Sequence, residues 1–312
     1  MRVYRPLLAL AALIAAGHAP AQQLPLANEP DAAGATEVAL AMLDTRMTAP
    51  VSIGAHGPYP FIIDTGAERT VISRELAAQL ALAAGPQVRL TAMSGTSMVG
   101  TVTIPSLSVN PIRRNAAIMA PALDERHIGG PGLIGLDTLA DHRLRIDFEN
   151  PSMLVQPSSK RLRRQRALPG EIVVTANRKS GQLILTEAFF NGKRIRVVLD
   201  TGSSVTVGNA AFRRQVARAI RRPFQPISLT SVTGGVTVAE YARVDQLKVG
   251  GVIFQGLPVA FADVAPFRKL GLENQPALML GMDALRVFRR IDIDFPNREV
   301  RFLMPKETHI AA

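Results

Sequence analysis

Short apolar stretches bounded by turn residues recur along this chain, and alternation of apolar and polar residues at 37–42 has the period of a half-buried β-strand. The chain is organised around a stretch in which an apolar strand runs into an Asp-Thr-Gly turn and a second apolar strand leaves it. This arrangement occurs at residues 61–72 (FIIDTGAERTVI) and again at residues 197–207 (VVLDTGSSVTV). Asp64 and Asp200 begin the two turns. The repetition indicates one folding unit present twice in a chain of 312 residues.

The elements around the two turns recur in one order. A predicted hairpin feeds each turn: strands at 37–42 and 47–53 precede the first, and a strand at 182–190 with an Asn-Gly turn precedes the second. Nine residues after each aspartate, Ser73 and Asn209 are good N-cap residues and predict a short helix. Apolar spacing supports both helices, at Leu76 and Leu80 before a stop at Gly85-Pro86, and at Phe212, Val216 and Ile220 before Pro223.

Each helix is followed by a β-rich stretch with a glycine-bearing turn, at residues 90–95 (LTAMSG) and 229–234 (LTSVTG). These stretches predict two mobile hairpins, or flaps, with Ser94 and Gly95 at one tip and Gly234 and Gly235 at the other. Each copy then closes with two apolar residues and a glycine, at 133–135 and 279–281, and with an Asp-Phe pair before a last strand.

The boundaries follow from composition. Residues 1–21 carry two arginines, an apolar run and an Ala-Pro-Ala segment, which predicts a cleaved signal peptide and an exported protein of the bacterial periplasm or the medium. An uncleaved anchor is the alternative, although about ten apolar residues are too few to span a bilayer. We predict a flexible lead-in at 22–35, a first domain at 36–156, a basic linker at 157–170, a second domain at 171–307 and a tail at 308–312.

Composition excludes several classes of function. The absence of cysteine excludes disulfides, a thiol nucleophile and a thiolate metal site, and the five histidines show no metal-ligand spacing. The net charge of +11 is spread along the chain in clusters typical of solvated faces. Three tyrosines and no tryptophan leave little for base stacking, so we expect no nucleic-acid partner, and no segment beyond the signal could span a membrane.

The two motifs FIIDTGAERTVI and VVLDTGSS, with the later LIG and MLG, resemble the signature of retropepsin-like aspartic proteases, including their exported bacterial relatives. The second copy also resembles the two-lobed pepsin-like enzymes, but the short copies favour the retropepsin type. The resemblance implies a mainly β protein with two similar β-barrel domains related by a pseudo-twofold axis, each with one or two short helices. Two departures concern substrate contacts: Glu68 stands where the family usually has Asp, and Ser204 occupies that position in the second copy.

The resemblance also assigns roles. Asp64 and Asp200 become the catalytic pair, and Thr65 and Thr201 are expected to hydrogen-bond across to the opposite loop. Gly66 and Gly202 let the backbone pass close beneath the carboxylates. The expected activity is endopeptidase cleavage of peptide or protein substrates, and the implied assembly is a monomer in which one chain supplies both halves of the site.

Paired carboxylates suit peptide hydrolysis without a metal or cofactor, because one can take a proton from water while the other polarises the carbonyl. Two close carboxylates share one proton, since both cannot remain ionised cheaply. Ser203 follows Gly202 where the first copy has Ala67. Its hydroxyl is expected to donate to Asp200, which predicts that Asp200 is the ionised partner and Asp64 the protonated one.

Two alternatives remain open at this point. A peptide-binding or scaffold protein could keep the fold and lack turnover, although a binder needs neither carboxylate. The copies could also pair between two chains, giving a dimer with more than one site.

Overall fold

A computed structural model describes residues 36–39, 41–43, 45–160, 166–167, 170–179 and 181–305. The predicted signal peptide, lead-in and tail, and part of the predicted linker, lie outside these described residues. None of the helices in the described part is both long and apolar enough to cross a membrane.

The first half of the structure, residues 36–157, consists mainly of short strands with three short helices. In chain order its elements are β1 (Thr36–Ala39), β2 (Ala41–Leu43), β3 (Arg46–Ile53), β4 (His56–Ile63), β5 (Val71–Ser73), α1 (Arg74–Gln79), β6 (Ala84–Ala92), β7 (Gly95–Ile104), β8 (Leu107–Val109), β9 (Ile112–Arg114), β10 (Ile118–Leu123), α2 (Glu125–Ile128), β11 (Gly132–Ile134), α3 (Leu136–Leu139), β12 (His142–Asp147) and β13 (Ser152–Pro157).

The second half, residues 171–305, repeats this order. Its elements are β14 (Glu171–Lys179), β15 (Gln182–Phe190), β16 (Lys193–Leu199), β17 (Val207–Gly208), α4 (Ala210–Ala219), β18 (Gln225–Thr230), β19 (Val236–Val244), β20 (Leu247–Val249), β21 (Val252–Phe254), β22 (Leu257–Phe261), α5 (Ala265–Lys269), β23 (Ala277–Leu280), α6 (Met282–Leu285), β24 (Arg290–Asp294) and β25 (Glu299–Leu303). The prediction of a mainly β protein with two similar halves is confirmed. Each half of the described chain has three short helices, where one or two were expected, because two of the three span only four or five residues.

The predicted helix starts are confirmed by their caps. The Ser73 hydroxyl accepts a hydrogen bond from the Leu76 N–H at 3.0 Å, and the Asn209 side chain accepts one from the Phe212 N–H at 2.9 Å. The predicted stop of the first helix was wrong, because α1 ends at Gln79 and the Gly85-Pro86 segment already belongs to β6. Local capping therefore fixes where these helices begin.

The strands form two sheets. The larger has the order β1-β13-β12-β24-β25-β14-β15-β16-β23-β17-β22-β19-β18, with β20 attached to β15 and β21 to β20. The smaller has the order β6-β7-β10-β5-β11-β4-β3-β8-β9, with β2 attached to β3. The halves are joined where β12 pairs antiparallel with β24. Both halves also contribute to one cluster of buried apolar side chains, which includes Phe61 and Ile134 from the first half and Phe212 and Leu280 from the second.

Candidate active site

Each of the two aspartates follows the last residue of a buried strand, β4 or β16. The strand that carries the apolar-apolar-glycine segment lies parallel to it. The Asp64 N–H donates to the Ile134 carbonyl at 3.0 Å, and the Asp200 N–H donates to the Leu280 carbonyl at 3.0 Å. These closing segments therefore hold the backbone of both Asp-Thr-Gly loops.

The two loops are bonded to each other through their threonines. The Thr65 N–H donates to the Thr201 hydroxyl at 3.1 Å, and the Thr201 N–H donates to the Thr65 hydroxyl at 3.2 Å. Each hydroxyl also donates across the boundary, from Thr65 to the Leu199 carbonyl at 3.1 Å and from Thr201 to the Ile63 carbonyl at 2.7 Å. This buried reciprocal set fixes the distance and orientation of the two loops, as expected from the resemblance.

The aspartate side chains lie against the glycines of the opposite loops. A Cβ atom on Gly66 would lie 2.7 Å from Asp200 Oδ1, and one on Gly202 would lie 2.4 Å from Asp64 Oδ2. Neither position leaves room for a side chain, which is why glycine is required there. One chain thus brings Asp64 and Asp200 together.

The two carboxyl groups have unequal environments. Both aspartates are about nine-tenths buried. Burial and then the charge of Asp64 raise the pKa of Asp200 to about 8, and the N–H groups of Gly202 and Ser203 offset this only in part. Burial also raises the pKa of Asp64, but the N–H groups of Gly66 and Ala67 lower it.

The hydrogen-bond lengths explain which carboxyl group ionises first. Asp64 Oδ1 accepts two bonds, from Gly66 at 2.8 Å and from Ala67 at 2.9 Å. Asp200 Oδ1 accepts a longer one, from Gly202 at 3.2 Å. Because bonds to the charged form favour it, this geometry favours Asp64 as the ionised partner and Asp200 as the holder of the shared proton.

The prediction that the Ser203 hydroxyl donates to Asp200 was wrong. This hydroxyl donates to the Val205 carbonyl at 2.8 Å and accepts from the Val205 N–H at 3.3 Å, so it closes a local turn. A serine hydroxyl often finds a backbone partner two residues away, and that local bond competes with longer-range ones. The expected assignment of the proton is therefore reversed.

Two threonines escaped the sequence reasoning. Thr70 and Thr206 each lie six residues after a loop aspartate, and each donates through its hydroxyl and its N–H to a second aspartate. The hydroxyl distances are 2.8 Å from Thr70 to Asp137 and 2.6 Å from Thr206 to Asp283. Asp137 and Asp283 were visible as recurring residues, but nothing in the sequence pointed to their partners.

The same threonines reach back to the closing segments. The Gly135 N–H donates to the Thr70 hydroxyl at 3.2 Å, and the Gly281 N–H donates to the Thr206 hydroxyl at 3.1 Å. Each Asp-Thr-Gly loop is thus bonded to its closing segment twice, through the backbone N–H of the aspartate and through the hydroxyl of the threonine six residues later.

The predicted flap residues lie at the tips of the β6–β7 and β18–β19 hairpins, and the two tips meet. The hydroxyl oxygens of Ser94 and Thr233 are 3.2 Å apart, and a Cβ atom on Gly235 would lie 2.4 Å from Ser94 Oγ. Gly95 and Gly234 have positive φ angles of 134° and 85°, which favour glycine at these turns.

Each tip also contacts the opposite half of the structure. Met93 of the first flap packs on a buried cluster of the second half that contains Phe267 and Met279, and its carbonyl accepts from the Ala265 N–H at 3.4 Å. Val232 of the second flap packs on a cluster of the first half that contains Leu133. The hairpins therefore bridge the two halves.

Glu68, one of the departures from the family motif, is paired with the second half. Lys269 Nζ donates to Glu68 Oε2 at 2.7 Å. Ser204 sits in the loop after Ser203 and is partly buried. Among the described residues, no group of three or more histidine, aspartate or glutamate side chains is arranged to hold a metal ion.

The aspartyl protease family model matches this chain twice, over residues 49–138 and 186–284. The two matches cover more than half of the chain, and each contains one Asp-Thr-Gly loop with its flap and closing segment. No curated protein matches the chain. The family match agrees with the duplication seen in the sequence and in the order of the strands.

Proposed function

The chain belongs to the aspartyl protease family, and we propose that it is an endopeptidase in which Asp64 and Asp200 activate one water molecule. The observation that carries this proposal is the pair of buried carboxyl groups, each lying against the glycine of the opposite loop. The crossed threonine hydrogen bonds support this proposal, because they hold the two aspartates in position without a ligand.

In the proposed reaction the two carboxyl groups have different tasks. Ionised Asp64 takes a proton from the water as it attacks the peptide carbonyl carbon, and protonated Asp200 donates to the carbonyl oxygen. The tetrahedral intermediate is neutral and carries two hydroxyl groups. Its collapse returns a proton to the leaving amine, breaks the C–N bond and restores the starting protonation of the pair.

We also propose that the active species is a monomer, because one chain provides both loops and all four threonine bonds between them. A dimer with shared sites would need these buried bonds to form between chains instead.

The test is digestion of a peptide library by residues 22–312, with Asp64→Asn and Asp200→Asn as variants and a statine-type transition-state analogue as inhibitor. Each single variant is expected to lose about a thousandfold or more in kcat/KM, because the two groups act as a unit. Asp245→Asn is the matched control, since Asp245 is exposed and accepts a bond from Gly256 in a distant hairpin.

Light scattering on the same samples gives the assembly state. A monomer in which both variants are inactive, and in which mixing them restores nothing, agrees with the proposal. Activity recovered on mixing would mean that sites form between chains. Peptide binding without cleavage by the unmodified protein would refute the endopeptidase activity.

Export is a separate proposal, supported by the layout of residues 1–21. N-terminal sequencing of the protein recovered from a bacterial periplasm or medium is expected to begin near Gln22. A chain that keeps Met1 and stays with the membrane fraction would contradict cleavage.

A further inference from the structure

The duplication leaves one pair of equivalent positions beside the catalytic loops with different chemistry. The residue two positions before each catalytic aspartate pairs across its hairpin with Thr48 in the first half and with Ile184 in the second. Arg46 and Gln182 each lie two residues before these partners and begin β3 and β15. They are therefore the same position in the two copies, and only the first carries a charge.

Gln182 shows that this position faces the active site. Its side-chain amide donates to the Gly66 carbonyl in the opposite catalytic loop. The residue is 5% exposed, and its Oε1 atom is buried without a hydrogen-bond partner. A buried acceptor next to a catalytic loop is costly unless a ligand or water satisfies it.

Arg46 occupies the mirror position on the other side of the catalytic pair. Its Nη1 atom donates to the Ile128 carbonyl at 2.8 Å, where α2 ends, and its buried Nε atom has no hydrogen-bond partner. No carboxylate in the described part of the chain forms an ion pair with it. Burial raises the pKa values of Asp64 and Asp200, the loop N–H groups lower them, and the guanidinium charge of Arg46 lowers both as the smallest contribution.

Arg46 lies beside the end of α2, the helix that the second flap contacts. The neighbouring helix α2 carries His127, and a Cβ atom on Gly234 of the second flap would lie 2.5 Å from the His127 ring. A Cβ atom on Gly129 would lie 2.2 Å from Arg46 Nη2. Arg46 thus contacts the end of the helix that meets the flap tip.

From this juxtaposition we propose that Arg46 binds an aspartate or glutamate side chain of the peptide on one side of the scissile bond, whereas Gln182 forms a neutral subsite at the equivalent position on the other side. The inference rests on the proposed function, because it assumes that an extended peptide lies along the same cleft. A half-buried guanidinium without a carboxylate partner favours a ligand that supplies one. The two different subsites would then bind a peptide in only one orientation of its chain.

The experiment measures binding to short peptides in which a reduced amide replaces the scissile bond, so that turnover is not needed. A positional scan places glutamate or glutamine at each site flanking the reduced bond, and calorimetry gives the dissociation constants. The unmodified protein is expected to prefer glutamate about tenfold at one position only, and added salt is expected to weaken that preference.

Matched substitutions exchange the two subsites. Arg46→Gln is expected to remove the preference for glutamate while affinity for the glutamine peptide stays within about twofold. Gln182→Arg is expected to create a second preference at the opposite flanking position. Arg46→Lys keeps the charge and is expected to retain part of the preference, which protects the test if Arg46→Gln folds poorly.

Equal affinity for glutamate and glutamine peptides at every position of the unmodified protein would overturn the inference, and so would a preference that Arg46→Gln and Gln182→Arg leave unchanged. A preference that follows these substitutions in a protein that cleaves nothing would support the inference and reject the endopeptidase activity. Cleavage without the preference would do the reverse.

Discussion

At the scale of single residues, the pair Asp64 and Asp200 shows how backbone donors divide a shared proton. Asp64 Oδ1 accepts N–H bonds at 2.8 and 2.9 Å, whereas the Gly202 bond to Asp200 Oδ1 is longer at 3.2 Å, although both side chains are equally buried. The imbalance comes from loop geometry and not from any difference in the Asp-Thr-Gly sequence. This imbalance can be measured through the pH dependence of activity and of stability.

The first prediction concerns activity. Because Asp200 keeps its proton up to a pKa of about 8, kcat/KM is expected to stay high into the neutral range and to fall as the pH rises through about 8. On the acidic side it falls when Asp64 takes up a proton. A pH–rate profile on a cleaved peptide checks this, and an alkaline limb lying well below neutrality would contradict it.

The second prediction concerns stability. The pKa of Asp200 rises from an ordinary 3.8 to about 8 on folding, so its contribution is complete below 3.8 and is lost as the pH rises through about 8. The Asp200→Asn variant carries no ionisable group at this position. As the pH rises from 3.8 to about 8, its free energy of unfolding is therefore expected to increase by about 1 kcal/mol or more relative to that of the unmodified protein. Denaturant titrations at several pH values measure this, with exposed Asp245→Asn as the control that shows no such gain.

The third prediction tests the corrected role of Ser203. Since its hydroxyl is bonded to Val205, Ser203→Ala is expected to leave the acidic limb of the pH–rate profile where it was. Loss of the local turn bond costs about 1 kcal/mol of stability. A shifted acidic limb would instead indicate that the Ser203 hydroxyl contacts Asp200 directly, as the sequence suggested.

At the scale of elements, the second flap also meets the first half at α2, and this contact requires glycine at position 234. Gly234 has a φ of 85°, and any Cβ atom there would meet the His127 ring of α2 at 2.5 Å. Gly192 has a similar φ of 74° in the β15–β16 turn, with open space around it. Comparing the same substitution at these two glycines therefore distinguishes the effect of backbone strain from the effect of steric contact.

The fourth prediction compares Gly234→Ala with Gly192→Ala. Both are expected to lose about 1 kcal/mol of stability, because alanine is strained at positive φ. Only Gly234→Ala is expected to lower kcat/KM, by about tenfold or more, since it displaces a flap tip from its contact with the first half. Equal kinetic constants for the two variants would show that the tip contact does not matter for catalysis.

The elements also show what could be predicted from the sequence. Ser73, Asn209 and the Asn191-Gly192 turn act on residues within a few positions, so their patterns sufficed for the helix starts and one hairpin. The packing of Met93 and of Val232 on clusters of the opposite half could not be predicted, because it brings together residues that are far apart in the chain. The choice of Val205 by Ser203 depends on turn geometry that the letters do not specify.

At the scale of the whole molecule, the antiparallel pairing of β12 with β24 forms the joint between the two halves in the larger sheet. Charged residues line this joint: Asp292 of β24 accepts from Arg143 at 2.7 Å and from Arg145 at 3.2 Å, both on β12. Glu171 of β14 binds Arg290 and Arg301, each at 2.9 Å. In the sequence these arginines looked like part of a diffuse positive charge, because only strand pairing brings them to their carboxylates.

The fifth prediction measures what this joint contributes. Asp292 is 2% exposed and pairs with the guanidinium groups of Arg143, Arg145 and Arg290. Asp292→Asn keeps the shape of the side chain but removes this buried negative charge, which is expected to cost about 3 kcal/mol. Glu240→Gln is the matched control, because it breaks an exposed pair with Arg213 within the second half and is expected to cost less than about 1 kcal/mol. Denaturant unfolding gives both values. Because the joint connects the two halves that carry the Asp-Thr-Gly loops, Asp292→Asn is also expected to lower kcat more than Glu240→Gln does. Equal losses in both measurements would mean that the buried core, and not the charged joint, holds the two halves together.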